Sequence, residues 1–143
     1  MRIREVVAAK PDRTVVTVSP RATVRELTAL LAEHNVGALV VSSDGTRVDG
    51  IVSERDVVRQ LHSEPEVLAA TVETIMTKDV HTCAPDDGLD DMMSVMTERR
   101  IRHVPVCDGD QLVGIISIGD VVKHKIQALE FERDQLDSYV HQS

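Results

Sequence analysis

Gly114-Ile115-Ile116-Ser117-Ile118-Gly119-Asp120 decides the fold, because it has a near-copy at Gly50-Ile51-Val52-Ser53-Glu54-Arg55-Asp56. In each, a Gly and an apolar pair read as the end of a buried strand, and Ser and Asp stand three residues apart where a helix begins. Ser-x-x-Asp before an apolar run resembles a capping box. The Ser oxygen accepts from a first-turn N–H, and the carboxylate lies near the positive end of the helix. Capping accounts for one such stretch; it does not account for two in matching surroundings.

The match widens in both directions. At an offset of 65, Val15 meets Val80, Thr17 meets Thr82, Pro20 meets Pro85, Glu33 meets Glu98, Val36 meets Ile101 and Val41 meets Val106. One residue is lost in the polar loop, and at an offset of 64 Gly50, Ser53, Asp56, Val57 and Val58 meet Gly114, Ser117, Asp120, Val121 and Val122. A long period seen twice argues for a duplicated supersecondary unit rather than a solenoid. Each copy reads strand, helix, strand, strand, helix, an α/β arrangement.

In chain order, residues 3–9 predict a short helix closed by Lys10-Pro11, and residues 15–18 a β-branched strand. Thr23 with Glu26 three residues later predicts a capped helix carrying Val24, Leu27, Leu30 and Leu31 on one face. Residues 38–41 and 48–52 predict strands joined at Ser43-Asp44-Gly45, and the helix after Ser53 extends to about His62. Residues 63–70 read as a linker, and residues 71–76 as a short helix opening the second copy as residues 3–9 open the first. Residues 80–83, 104–107 and 112–116 predict strands. Leu89, Met92, Met93 and Met96 form a helical stripe whose spacing suits burial, so it reads as core. The last helix, from Ile118 to about Val140, overruns its counterpart and carries Val122, Ile126, Leu129, Leu136 and Val140 as a short heptad seam. Left in water such a stripe is unfavourable, which argues for contact with a partner chain.

Composition narrows the function classes. The chain has 143 residues, one Phe, one Tyr and no Trp, so its core is aliphatic and offers no aromatic platform for single-stranded nucleic acid. One copy alone buries too little surface, so the two are expected to share a core. A net charge of −8 argues against a phosphate-backbone binder, and nucleic acid is not expected as a partner. No apolar run is long enough to span a membrane, and Met1-Arg2-Ile3-Arg4-Glu5 lacks the apolar region of a secretory signal. Cys83 and Cys107 form no Cys-x-x-Cys pair and read as buried thiols. A cytoplasmic protein without a membrane partner is the expectation.

The order V-x-T-x-x-P, amphipathic helix, G-A-L-V-V or R-H-V-P-V, then G-I-[VI]-S-x-x-D-V-V resembles a tandem pair of cystathionine-beta-synthase-type (CBS) domains, a Bateman module. The resemblance covers about residues 3–126 and is most specific in the two G-I-x-S-x-x-D segments and in I-R-H-V-P-V at 101–106. The tail also resembles small stand-alone bacterial members. It implies two motifs, 3–62 and 71–126, with pseudo-twofold symmetry, small sheets flanked by helices, and a C-terminal helical extension over 127–143.

The residues themselves suggest what could bind. Bare helix starts attract phosphate, and an added carboxylate repels it but is suited to the two hydroxyls of a sugar diol. Asp56 and Asp120, with Ser53 and Ser117 beside them, therefore suit ribose. Arg102 and His103 suit phosphate, as a planar fork and a titratable donor. Their counterparts in the first copy are Gly37 and Ala38, which carry no charge, so the two sites are not equivalent.

The resemblance implies a ligand in each cleft between the copies, with Asp120 and Ser117 working with Arg13, Thr14, Val15, Val36, Gly37 and Ala38. Asp56 and Ser53 would work with Lys78, Asp79, Val80, Ile101, Arg102 and His103. It implies a regulatory protein that requires no cofactor. It would bind an adenosine-containing ligand, AMP or ATP first and ADP, NAD or S-adenosylmethionine as alternatives. Occupancy would be transmitted through a disc-like homodimer to a protein target the sequence does not identify. A ligand-independent dimerisation or scaffold module is the alternative. No Ser-His-Asp arrangement, Cys/His nucleophile pair or Gly-rich phosphate loop points to an enzyme, and the spacing of His81, Cys83, His103 and Cys107 matches no zinc pattern.

Overall fold

A computed structural model describes residues 1–11 and 15–142. The order is α1 (Ile3–Ala8), β1 (Thr17–Val18), α2 (Val24–His34), β2 (Ala38–Val41), β3 (Gly50–Ser53) and α3 (Glu54–Ser63). After single 3₁₀ turns at Val67–Ala69 and Val72–Thr74 come α4 (Leu89–Arg99), β4 (His103–Asp108), β5 (Gln111–Ser117) and α5 (Ile118–Gln142). In the first half β1 lies parallel to β2, and β2 antiparallel to β3. In the second half β4 and β5 form an antiparallel pair.

The helix starts follow the sequence closely. Thr23 and Glu26 form a complete capping box, and so do Ser53 and Asp56. The turn signal at 43–45 is fixed by Asp44, whose Oδ1 accepts from the N–H groups of Thr46 and Arg47 at 2.9 Å. The expected strand over 80–83 is a correction: only Cys83 bridges, to Val106. Cys83 N–H donates to the Pro105 carbonyl (3.0 Å), and Cys107 N–H donates to the Cys83 carbonyl (2.8 Å). In that parallel register the next bond outward would need an N–H on residue 105, and proline has none. The first-copy strand is likewise shorter than expected, two residues in place of four.

The core divides into two clusters, and the opening segments are exchanged between them. Ile3 and Val6 of α1 pack with Cys83, Leu89, Met92, Met96, Val104, Val106, Ile116 and Val121 of the second half. Val67 and Val72, which follow the first copy's last helix, pack with Val24, Leu27, Leu31, Leu39 and Val52 of the first half. The stretch read as a linker thus contributes a buried side chain to the first core. The methionine stripe is core: Leu89, Met92 and Met96 are buried and Met93 packs against them.

This exchange explains the glycines that open each G-I-x-S-x-x-D segment. A Cβ on Gly50 would stand 2.6 Å from Met76 Sδ and 2.9 Å from the Thr77 carbonyl oxygen. On Gly114 it would stand 3.0 Å from Val7 Cγ1. Each opening segment crosses the strand of the opposite half at its glycine, and Ile51 and Thr77 exchange backbone hydrogen bonds of 3.0 and 2.9 Å there.

Beyond its first turns α5 leaves the core. Val122, Ile126, Leu129, Leu136 and Val140 are all exposed, so the heptad seam faces solvent along the described helix. Among the described residues no helix is long and apolar enough to cross a membrane, and no group of three His, Cys, Asp or Glu side chains is placed to hold a metal. Burial pushes the Cys83 thiol up to about 12, with nearby Asp87 adding to the shift, so it is an inert core group.

Candidate functional site

The two Ser-x-x-Asp turns are built alike. Ser53 N–H donates to Asp56 Oδ2 at 2.8 Å, and Asp56 N–H donates to Ser53 Oγ at 3.3 Å. Ser117 N–H donates to Asp120 Oδ2 at 2.9 Å, and Asp120 N–H donates to Ser117 Oγ at 3.1 Å. Each carboxylate therefore caps its own helix, and in both the capping bonds fall on Oδ2 rather than Oδ1. Each turn is also pinned to the strand entrance beside it. Glu54 N–H donates to the Gly37 carbonyl (2.9 Å) and Ile118 N–H to the Arg102 carbonyl (2.8 Å).

Around these matching turns the surroundings differ. Ser53 and Asp56 open onto a cavity of about 310 Å³ between the copies. The first copy contributes Gly37, Ala38, Ile51, Glu54, Arg55 and Arg59, and the second contributes Thr77 of its exchanged opening segment with Arg100, Ile101, Arg102 and His103. Of the residues expected with Asp56, this brings in Ile101, Arg102 and His103. Lys78, Asp79 and Val80 line neither this cavity nor the one below. Gly37 and Ala38, expected with Asp120, line the Asp56 cavity instead, and Ala38 borders both.

Sequence reasoning assigned no role to Arg55, Arg59 or Arg100. Among the described residues none of the four cavity arginines has a carboxylate within ion-pair distance. Arg55 and Arg59 stand one helical turn apart on α3, and the signal for them was that i, i+4 spacing beginning inside the motif. Arg100 ends α4 with φ at 56°, where its repeat counterpart is Asn35 at 51°. Asn tolerates that left-handed backbone and Arg does not favour it, so a side chain retained there is the signal that was missed.

On the other side, a smaller cavity of about 170 Å³ is lined by Val7, Lys10, Val15, Val16, His34, Val36, Ala38, Leu39, Val113, Gly114 and Ile115. Val15, Val36 and Ala38, expected with Asp120, are among them. Ser117 and Asp120 are not part of its lining, and Arg13 and Thr14 lie outside the described residues. Lys10 Nζ is 2.9 Å from Asp120 Oδ2. Burial opposes ionisation of Asp120, but hydrogen bonds from Ser117 and Lys10, with the Lys10 charge, outweigh it and hold the carboxyl below its ordinary range. Between the two sides stands His103, whose pKa is pushed down by burial and by the Lys10 and Arg102 charges, against the opposing pull of Asp120 and Glu54.

The arrangement pairs a cap carboxylate with guanidinium groups and apolar walls, which suits an anionic ligand bearing a sugar. The family model for the CBS domain matches residues 3–63 and 72–126. A protein from Burkholderia ambifaria, described as a signal-transduction protein with CBS domains, superposes with a TM-score of 0.83 at 43% identity, covering 89% of this chain and 95% of that one. A 33.4 kDa protein encoded in a ribosomal RNA operon of Thermofilum pendens is 43% identical over 108 residues; the match covers 75% of this chain but only 35% of that protein. The CBS domain pair of protein MJ0100, solved with 5′-methylthioadenosine and S-adenosyl-L-methionine, shares the fold at a TM-score of 0.78 and 23% identity, covering 90% of this chain and 98% of that one. Duplicated sequence, paired sheets, exchanged opening segments and these likenesses agree, and the chain belongs to the CBS-domain family as a tandem pair of CBS domains.

Proposed function

We propose that this CBS pair is a regulatory module that binds a phosphorylated adenosine ligand, AMP or ATP, in the Asp56 cleft and transmits occupancy through a homodimer. The observation that carries this is the meeting of Asp56 with Arg55, Arg59, Arg100 and Arg102 around one cavity between the copies. Asp56 Oδ1 takes no part in the cap and suits ribose hydroxyls. The arginine forks match phosphate oxygens in geometry and charge. Ile51, Ala38 and Ile101 provide apolar walls for a base, and about 310 Å³ falls at the lower end of small-molecule sites. The MJ0100 pair was solved with two adenosine compounds that carry no phosphate. Four arginines with no carboxylate partner among the described residues favour a phosphorylated ligand here over the sulfonium cation of S-adenosylmethionine.

Transmission requires only that the ligand bind two arrangements of the copies or chains with different affinity. The exposed seam of α5 supports pairing of two chains. It also supports the second reading, a scaffold that pairs without any ligand.

Calorimetric titration with adenosine, AMP, ADP, ATP, NAD and S-adenosylmethionine tests the proposal. Asp56→Ala is expected to weaken adenosine and AMP alike, by roughly 10- to 100-fold, the loss of one or two hydrogen bonds to a charged group. Arg102→Ala is expected to weaken only the phosphorylated forms. Equal losses on adenosine and AMP for both variants would refute this division of roles. A nucleotide at 100 times its Kd should stabilise the fold by about 2.7 kcal/mol, so no thermal shift with any of the six would leave the scaffold reading standing.

A further inference from the structure

The two halves present the same carboxylate in the same capping box, yet among the described residues only the Asp120 carboxylate is held by a cation. Lys10 follows α1, the segment exchanged into the second half, and this exchange carries its ammonium to Asp120, 2.9 Å from Oδ2. The side chains of both partners are about seven-tenths buried, at 29% and 30% exposure, so the pair is not a loose surface contact. The same oxygen accepts the Ser117 N–H. The ammonium takes up lone pairs of Oδ2 and offsets the negative charge that makes the carboxylate a strong acceptor for a sugar diol.

In the first half the corresponding opening segment ends at Thr77-Lys78, and Lys78 forms no ion pair among the described residues and lines neither cavity. The chain from Lys78 to Val80 is three residues shorter than that from Lys10 to Val15, so the two lysines are presented differently. Asp56 consequently faces its cavity, whereas Ser117 and Asp120 stand outside the lining of theirs.

We infer that Lys10 is an internal latch on the second ribose site: by occupying Asp120 it makes the pair take one nucleotide per chain, in the Asp56 cleft. The inference rests on the nucleotide-binding reading above and adds the residue that decides which cleft is open. It also makes the Lys10–Asp120 pair the element a second ligand would have to break.

The test is the number of AMP molecules bound per chain by calorimetry on the full chain. The wild type is expected to show one event. Lys10→Ala is expected to keep that event with its affinity unchanged within about twofold and to add a second, and Lys10→Ala/Asp120→Ala to lose the second alone. Lys10→Met, which keeps the length and removes the charge, should also show the second event, which separates the latch from a general effect of shortening the side chain. Two equal events in the wild type, or one unchanged event in both Lys10 variants, would overturn the latch while leaving nucleotide binding intact. A Lys10→Ala variant that binds less AMP per chain than the wild type would overturn it too, by making Lys10 a phosphate ligand. No binding by any variant would remove the nucleotide reading and the latch together.

Discussion

Asp56 and Asp120 stand at matching positions of a duplicated unit and do different things. Both cap their helices with Oδ2, through serine N–H contacts of 2.8 and 2.9 Å. One then faces a cavity ringed by four arginines, and the other is held by a lysine. Duplication has preserved what the backbone needs: the cap, the glycine under the crossing segment, and the hydrogen bond from the first helical N–H to the neighbouring strand entrance. The side chains around the two clefts are free of those constraints and have diverged. A repeat therefore predicts where a site can be more securely than whether it is open.

The largest expected effect tests the exchange that makes the comparison possible. Ile3 is fully buried in the second half's core, so Ile3→Ala should destabilise by about 3 kcal/mol in chemical denaturation. Amide exchange should then rise in α4, β4 and β5 before β2 and β3. Val72→Ala should do the reverse at a cost on the order of 2 kcal/mol, because Val72 packs in the first half. Loosening of the half to which each residue belongs in sequence would break the exchanged arrangement.

Next come the glycines, where the halves should differ in degree. Gly50→Ala places a methyl 2.9 Å from a backbone carbonyl, which can yield only if the crossing segment shifts, and about 2 kcal/mol is expected. Gly114→Ala meets the Val7 side chain at 3.0 Å, and about 1 kcal/mol is expected. Equal costs in thermal melts would mean that the two crossings are equally compliant. The caps follow: Ser53→Ala and Ser117→Ala should each cost about 1 kcal/mol, whatever happens at the clefts.

How much of this was legible depended on whether a residue answers to its sequence neighbours or to distant ones. The caps at Thr23, Ser53 and Ser117 are local and could be read directly. So could the methionine stripe, because its spacing fixes one helix face. Residues 80–83 have the composition of a strand, and the obstacle is the missing N–H of Pro105, a partner more than twenty positions away. The exchange of opening segments left a trace in Gly50 and Gly114, but the trace says only that something approaches closely, not what. At the site, Arg102 and His103 were readable as charges at a strand entrance. Arg55, Arg59 and Arg100 gain meaning only when α3 and the end of α4 converge on one cavity. The Lys10–Asp120 pair spans 110 positions and follows from the exchange, so no local pattern could announce it.

The smallest effect sharpens the contrast from the point where the two sides meet. Burial, with the Lys10 and Arg102 charges, holds the His103 imidazole below its ordinary value of 6.5, so the folded protein binds that proton less readily than the unfolded chain. Stability from this residue is then fully present above pH 6.5 and falls as the pH drops below it, because the unfolded state takes up more protons. His103→Gln should flatten the difference in unfolding free energy between pH 7.5 and pH 5.5 relative to the wild type, with the other five histidines common to both. Removing Lys10 takes away one of the charges that oppose protonation and leaves Asp120 to favour it, so Lys10→Ala should shrink the same dependence in the same direction. If Lys10→Ala instead steepens the loss of stability on acidification, His103 does not sense the second cleft, and the two sides are less connected than their shared histidine implies.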